Sequence, residues 1–146
     1  MTEILRITVD AEISALRVIR RALSKALKAA LKSPQAAEKI QDILLATDEA
    51  AQNIIQHAFK QSSAKEVKKD KDEQLTLIVQ KQKAQLHIVL EDNAPLVDIS
   101  QIVPRKLDEV REGGLGTHFI KSLSDEARWS HHDNGNRLDM IWHLPQ

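Results

Sequence analysis

The sequence predicts an α+β protein: a two-layer sandwich in which a mixed, mainly antiparallel sheet is covered on one face by about three helices. Three observations predict it. The elements read in the order β, α, α, β, β, α, β, β, without the strict alternation of a doubly wound parallel sheet. Two stretches carry apolar residues at spacings of three and four. Two pairs of apolar, β-rich segments are each separated by a short polar turn.

Each element follows from local pattern. "ILRITVD", residues 4–10, alternates through Ile4, Ile7 and Val9 and predicts a first strand ending at Asp10, a residue suited to cap a helix. Ile13, Leu16, Val18, Ile19, Leu23, Leu27 and Leu31 then form the stripe of an amphipathic helix, which "KSP" breaks at residues 32–34. Ser33 and Pro34 are suited to cap and open a second helix, whose buried face is Ile40, Ile43, Leu44, Ala51, Ile54, Ile55 and Ala58. The polar run "QSSAKEVKKDKDEQ" predicts an exposed connection ending near Gln74.

"QLTLIVQ" and "AQLHIVLED" flank the polar "KQK" and predict a hairpin with one buried face. A long loop rich in proline follows, then the turn "GGLG" and a short helix in "THFIKSLSDE". The last segment splits at Asn134-Gly135 into two strands, because that dipeptide readily adopts a tight hairpin turn. No repeat or second core is visible, so residues 1–146 are expected to form a single domain.

Composition excludes several function classes. Lys plus Arg equals Asp plus Glu at 21 each, so no overall basic field draws the chain to nucleic acid or an anionic membrane. The absence of cysteine removes thiolate metal sites and thiol nucleophiles and suits a reducing cytoplasm. No signal-like leader or long uncharged apolar run is present, which predicts a soluble, cytoplasmic protein.

Chemistry concentrates in three places. Glu49, Asn53 and His57 recur at i, i+4 steps on the second helix, the spacing of either a solvent-facing polar stripe or one wall of a cavity. Asp92 ends a strand, where its carboxylate is either a turn residue or a fixed acceptor for a ligand donor. "GGLG" before a helix is either a flexible connector or a turn whose backbone approaches phosphate oxygens. It is neither a Walker A loop, lacking Gly-Lys-Ser/Thr, nor a dinucleotide fingerprint, lacking a strand that leads directly into it. His131-His132 is not read as a metal site, since adjacent strand residues point to opposite faces. Trp129 and Trp142 are read as core.

The ordered set of helix E-x-x-x-N, strand-terminal Asp, long loop, GGLG and helix resembles the ATP-binding fold of the GHKL superfamily, shared by gyrase, histidine kinases and MutL. Within it the chain is most similar to the small anti-sigma factor and serine-protein kinase family, RsbW-like. The likeness spans nearly the whole chain and is sharpest in "TDEAAQNIIQHAF", "LEDNAPLVDIS" and "REGGLGTHFIKSLSDEARWS".

The resemblance implies an ATP-dependent protein serine kinase that phosphorylates a STAS-domain anti-sigma antagonist and also binds a sigma factor. It implies ATP and Mg²⁺ as cofactors and a homodimer. Glu49 would be the general base, Asn53 would bind Mg²⁺, Asp92 would accept from the adenine amino group, and Gly113, Gly114, Leu115, Gly116 and Thr117 would lie against the phosphates. Where the family usually shows glycine two residues after the adenine-reading aspartate, this chain has Ala94, whose methyl would crowd the base. That departure motivates an alternative: a nucleotide-gated or purely protein-binding regulator of the same fold.

Overall fold

A computed structural model of the chain describes residues 1–58, 73–99, 120–132 and 134–145, with backbone alone at 57 and 58. The expected polar connection before Gln74, most of the long loop, and the GGLG turn lie outside the described residues.

Among the described residues, five strands form one sheet in the order β1-β2-β3-β5-β4, and all four pairings are antiparallel. β1 is Thr2–Asp10, β2 Gln74–Gln82, β3 Gln85–Asp92, β4 Glu126–His132 and β5 Gly135–His143. Period-two alternation sends Leu5, Ile7 and Val9 of β1 to the same face as Leu75, Leu77 and Val79 of β2. Register continues that face through Leu86, Ile88 and Leu90 to Leu138, Met140 and Trp142. All of these from β2 onward are buried in one cluster with the helices.

Helix α1, Ala15–Ala30, buries Ala15, Ile19, Leu23 and Leu27, spaced by four, and the last three join the cluster on that face. It begins later than its apolar pattern suggests. Asp10 ends β1 and does not cap the helix; the cap position is Ser14, which makes no side-chain cap bond. Ile13 therefore falls in the turn before the helix and is 65% exposed, and Val18 points outward as well. The buried stripe is the narrower i, i+4 row, and among the described elements α1 rests mainly on β1 and α3.

Ser33 and Pro34 act as expected: Ser33 Oγ accepts from Ala36 N at 3.1 Å and Pro34 opens the helix. The second helix is divided, however. Lys39 N donates to Ala36 O, three residues back, and this tight turn separates α2, Pro34–Ala37, from α3, Ile40–Asn53. A π-helical turn, Ile54–Ala58, follows α3.

The open face of the sheet is not bare. Ile78 and Val89 are buried there beside a polar network in which Arg137 donates to both Asp139 and Glu91 while His87 bonds Asp139 at 2.8 Å. Trp142 is buried in the helical-side core and its indole donates to Leu123 O at 2.8 Å; Trp129 packs against the same core. Trp142 meets the expectation of a core tryptophan, and Trp129 meets it in part, being half-buried.

Candidate functional site

β3 runs from an apolar interior into Asp92, and its neighbour β5 brings Asn136 beside that residue. The Asp92 side chain is only 4% exposed. An ionised carboxylate is costly to bury without donors. Asp92 Oδ1 accepts from Ala94 N at 2.9 Å, from Asn136 Nδ2 at 2.9 Å and from Asn136 N at 3.3 Å. Among the described residues no hydrogen bond goes to Oδ2, so one oxygen is committed to the fold and the other can receive a ligand donor.

The segment after Asp92 is held along its length. Gln74 N donates to Asn93 Oδ1 at 2.8 Å, Asn136 Nδ2 donates to Pro95 O at 3.1 Å, and Val97 N donates to Asn136 Oδ1 at 2.9 Å. His131 Nε2 lies 2.8 Å from Val97 O, and His132 Nε2 lies 2.9 Å from Asp92 O. The two histidines are thus each directed at a backbone carbonyl. Ala94 is 3% exposed, so its methyl is packed inside this segment rather than displayed to solvent.

The hairpin turn differs from its expected position. His132 pairs with Gly135, which makes Gly135 the first residue of β5. Its missing side chain serves close approach: a Cβ there would stand 1.9 Å from Asp92 O and 2.8 Å from Asn93 Cα.

Asn136 was not among the residues the sequence singled out. Its signal was available, since period-two alternation places it on the same inward row as Leu138, Met140 and Trp142. A polar side chain on that row requires buried partners, and Asn136 has three.

On the helical side, Glu49 and Asn53 are half-buried on α3, which packs against β3, the strand that ends in Asp92. Neither has a hydrogen-bond partner among the described residues. Asp48, beside Glu49, is instead ion-paired with Arg20 of α1. Burial pushes the Asp48 carboxyl above its ordinary value, against the opposing pull of Arg20. The i, i+4 spacing stops at Asn53 because the π turn begins at Ile54, so the expected alignment of His57 with Glu49 and Asn53 no longer follows from α-helical geometry. The His57 side chain and residues 113–117 lie outside the described residues.

The described part of the site is therefore a buried, oriented carboxylate with one spare acceptor, a tethered segment bearing Ala94, and a helix carrying a carboxylate and an amide one turn apart. An amide oxygen suits Mg²⁺, which takes few protein ligands beside substrate phosphates and waters, so Asn53 fits the ion in donor type.

Known proteins agree with this architecture. The chain is 26% identical over 120 residues to the serine-protein kinase RsbW of Bacillus subtilis (strain 168), covering 70% of each chain. It is 25% identical over 115 residues to the serine-protein kinase RsbW of Bacillus cereus (strain G9842), spanning 73% of this chain and 66% of that one. The solved RsbU and RsbW domains of Rv1364c from Mycobacterium tuberculosis share the fold at a TM-score of 0.63 and 20% identity, covering 96% of this chain and 31% of that one. Residues 9–142 match the family described as the histidine kinase-like ATPase domain. With that match running from the end of β1 through α1–α3 and Asp92 into β5, the chain belongs to the histidine kinase-like ATPase domain family.

Proposed function

We propose that this chain is an ATP-dependent protein serine kinase and anti-sigma regulatory factor of the cytoplasm, phosphorylating a STAS-type anti-sigma antagonist in a partner-switching system and working as a homodimer. The observation that carries the reading is Asp92: a carboxylate 4% exposed, fastened through Oδ1 and with no hydrogen bond to Oδ2 among the described residues, in an ATPase-domain family whose relatives include named serine-protein kinases.

In this reading Asp92 Oδ2 accepts from the adenine amino group, and the buried segment bearing Ala94 lies along the base. Asn53 offers its side-chain oxygen to Mg²⁺, and residues 113–117 lie against the phosphates. The bound ion neutralises phosphate charge. Glu49, one helical turn from Asn53, orients the attacking seryl hydroxyl and takes its proton. No hydrogen bond among the described residues occupies the Glu49 carboxylate or the Asn53 amide, which suits groups kept for a ligand.

Calorimetric titration with ATP, with and without Mg²⁺, tests the first half. Binding is expected to need Mg²⁺ and to weaken at least about tenfold in Asp92→Asn, which replaces a charge-assisted acceptor. Phosphate transfer from labelled ATP to a serine of the cognate antagonist, abolished by Glu49→Ala, tests the second. A folded protein that gives no heat with ATP overturns both.

A specific observation favours one alternative. The family's usual glycine is Ala94 here, and its methyl is enclosed at 3% exposure two residues from Asp92. If it narrows the base pocket, the chain acts as a nucleotide-gated or purely protein-binding regulator. Ala94→Gly then raises ATP affinity, whereas in an active kinase the substitution leaves affinity within about threefold, the size of a small packing change.

A further inference from the structure

His131-His132 is a sequence motif that the proposed chemistry leaves unused. Both rings make hydrogen bonds of ordinary length, and both bonds end on residues 92–97, the end of β3 and the segment after it: His131 Nε2 to Val97 O at 2.8 Å and His132 Nε2 to Asp92 O at 2.9 Å. A carbonyl oxygen only accepts, so each Nε2 carries the proton in these contacts. Adjacent strand residues point to opposite faces, so the two rings reach the segment from the two sides of the sheet and hold its two ends.

Between those ends, Asn136 bonds Pro95 O and Val97 N and meets Asp92 Oδ1 with its amide. Ala94 N closes the same carboxylate oxygen from within the segment. If the segment moved, Asp92 would lose its Ala94 donor and with it part of what orients the spare oxygen. The β4–β5 hairpin is thus the support on which the carboxylate and the Ala94 wall rest.

We propose that His131 and His132 are positioning residues of the nucleotide pocket, clamping segment 92–97 from the β4–β5 hairpin so that Asp92 Oδ2 and the Ala94 wall are set for a purine base before it binds. The proposal rests on the nucleotide reading of the site. It assigns the rings no contact with ligand and no part in phosphoryl transfer. Their loss weakens nucleotide binding through disorder of the wall and leaves turnover at saturating nucleotide unchanged.

The test uses the full chain and four variants: His131→Phe and His132→Phe, which keep a ring and lose the donor, and His131→Gln and His132→Gln, which return an Nε2 donor. Two readouts are taken. Amide exchange at Ala94 and Val97 without nucleotide reports the clamp, and calorimetry with Mg-ATP reports the pocket. Each Phe variant is expected to speed exchange at these amides and to weaken ATP about fivefold, as loss of one hydrogen bond implies, while each Gln variant restores both.

A merely structural histidine would lower the thermal midpoint without a Gln rescue that tracks ATP affinity. Unchanged exchange in both Phe variants overturns the clamp. Faster exchange with wild-type ATP affinity overturns the link between clamp and pocket. Absence of ATP binding by the unmutated protein overturns the nucleotide reading and the purine role together, and the exchange arm, which needs no nucleotide, separates that failure from failure of the clamp.

Discussion

At the scale of single residues, stability is decided by a few buried polar groups. Asn136 satisfies Asp92, Pro95 and Val97 at once, so Asn136→Ala strands several partners and is expected to cost about 2–3 kcal/mol in urea unfolding. Gly135→Ala forces a methyl against backbone rather than a flexible side chain and is expected to cost about 3 kcal/mol and to weaken whatever Asp92 binds. A wild-type unfolding midpoint for Gly135→Ala would show that β5 can move away from Asp92. Thr47 presents the opposite case. It is fully buried on α3, and its hydroxyl has no partner among the described residues. Thr47→Val removes that desolvated group at nearly constant shape and is expected to raise stability by about 1 kcal/mol. A loss of that size would mean that the hydroxyl has a role outside the described residues.

At the scale of elements, β3 and β5 are joined by charge on the open face as well as by their ladder. Burial raises the Asp139 carboxyl, but hydrogen bonds from Arg137 and His87 outweigh it and hold the group below its ordinary value of 3.8. The folded state then binds this proton less tightly than the unfolded state. The stability it contributes is present above about pH 3.8 and is lost as pH falls through the lower folded value. The difference in urea midpoint between wild type and Asp139→Asn is therefore expected to persist from pH 7 to pH 5 and to close below pH 4. A difference that stays constant down to pH 3 would place the effect in packing. Elements were well read where the chemistry was local. Ser33-Pro34 opened α2, and the two β-rich pairs became β2–β3 and β4–β5. The start of α1 and the breaks around α3 were not legible, because apolar spacing continues through Ile13 and Ile54 whatever the backbone does between them.

At the scale of the molecule, helices and sheet share one apolar cluster running from Ile19 to Leu144. A continuous core of this kind unfolds as a unit. Far-ultraviolet dichroism, which reports helix and sheet, and fluorescence of the buried Trp142 are expected to give coincident urea transitions. Separated transitions would show that the α-layer and the sheet hold independently. No described helix is long and apolar enough to cross a membrane.

The sequence by itself determined the α+β class, the number and order of most elements, and the residue types that make Glu49, Asn53 and Asp92 chemically credible, because periodicity, capping and turn preferences act over a few neighbouring residues. Only the tertiary structure decided that β5, not β4, lies beside β3. That one choice of neighbour places Gly135 and Asn136 against Asp92, and brings His131 and His132 to the segment it opens. Strand order depends on which apolar faces bury most surface together across tens of residues, and no local pattern carries that comparison.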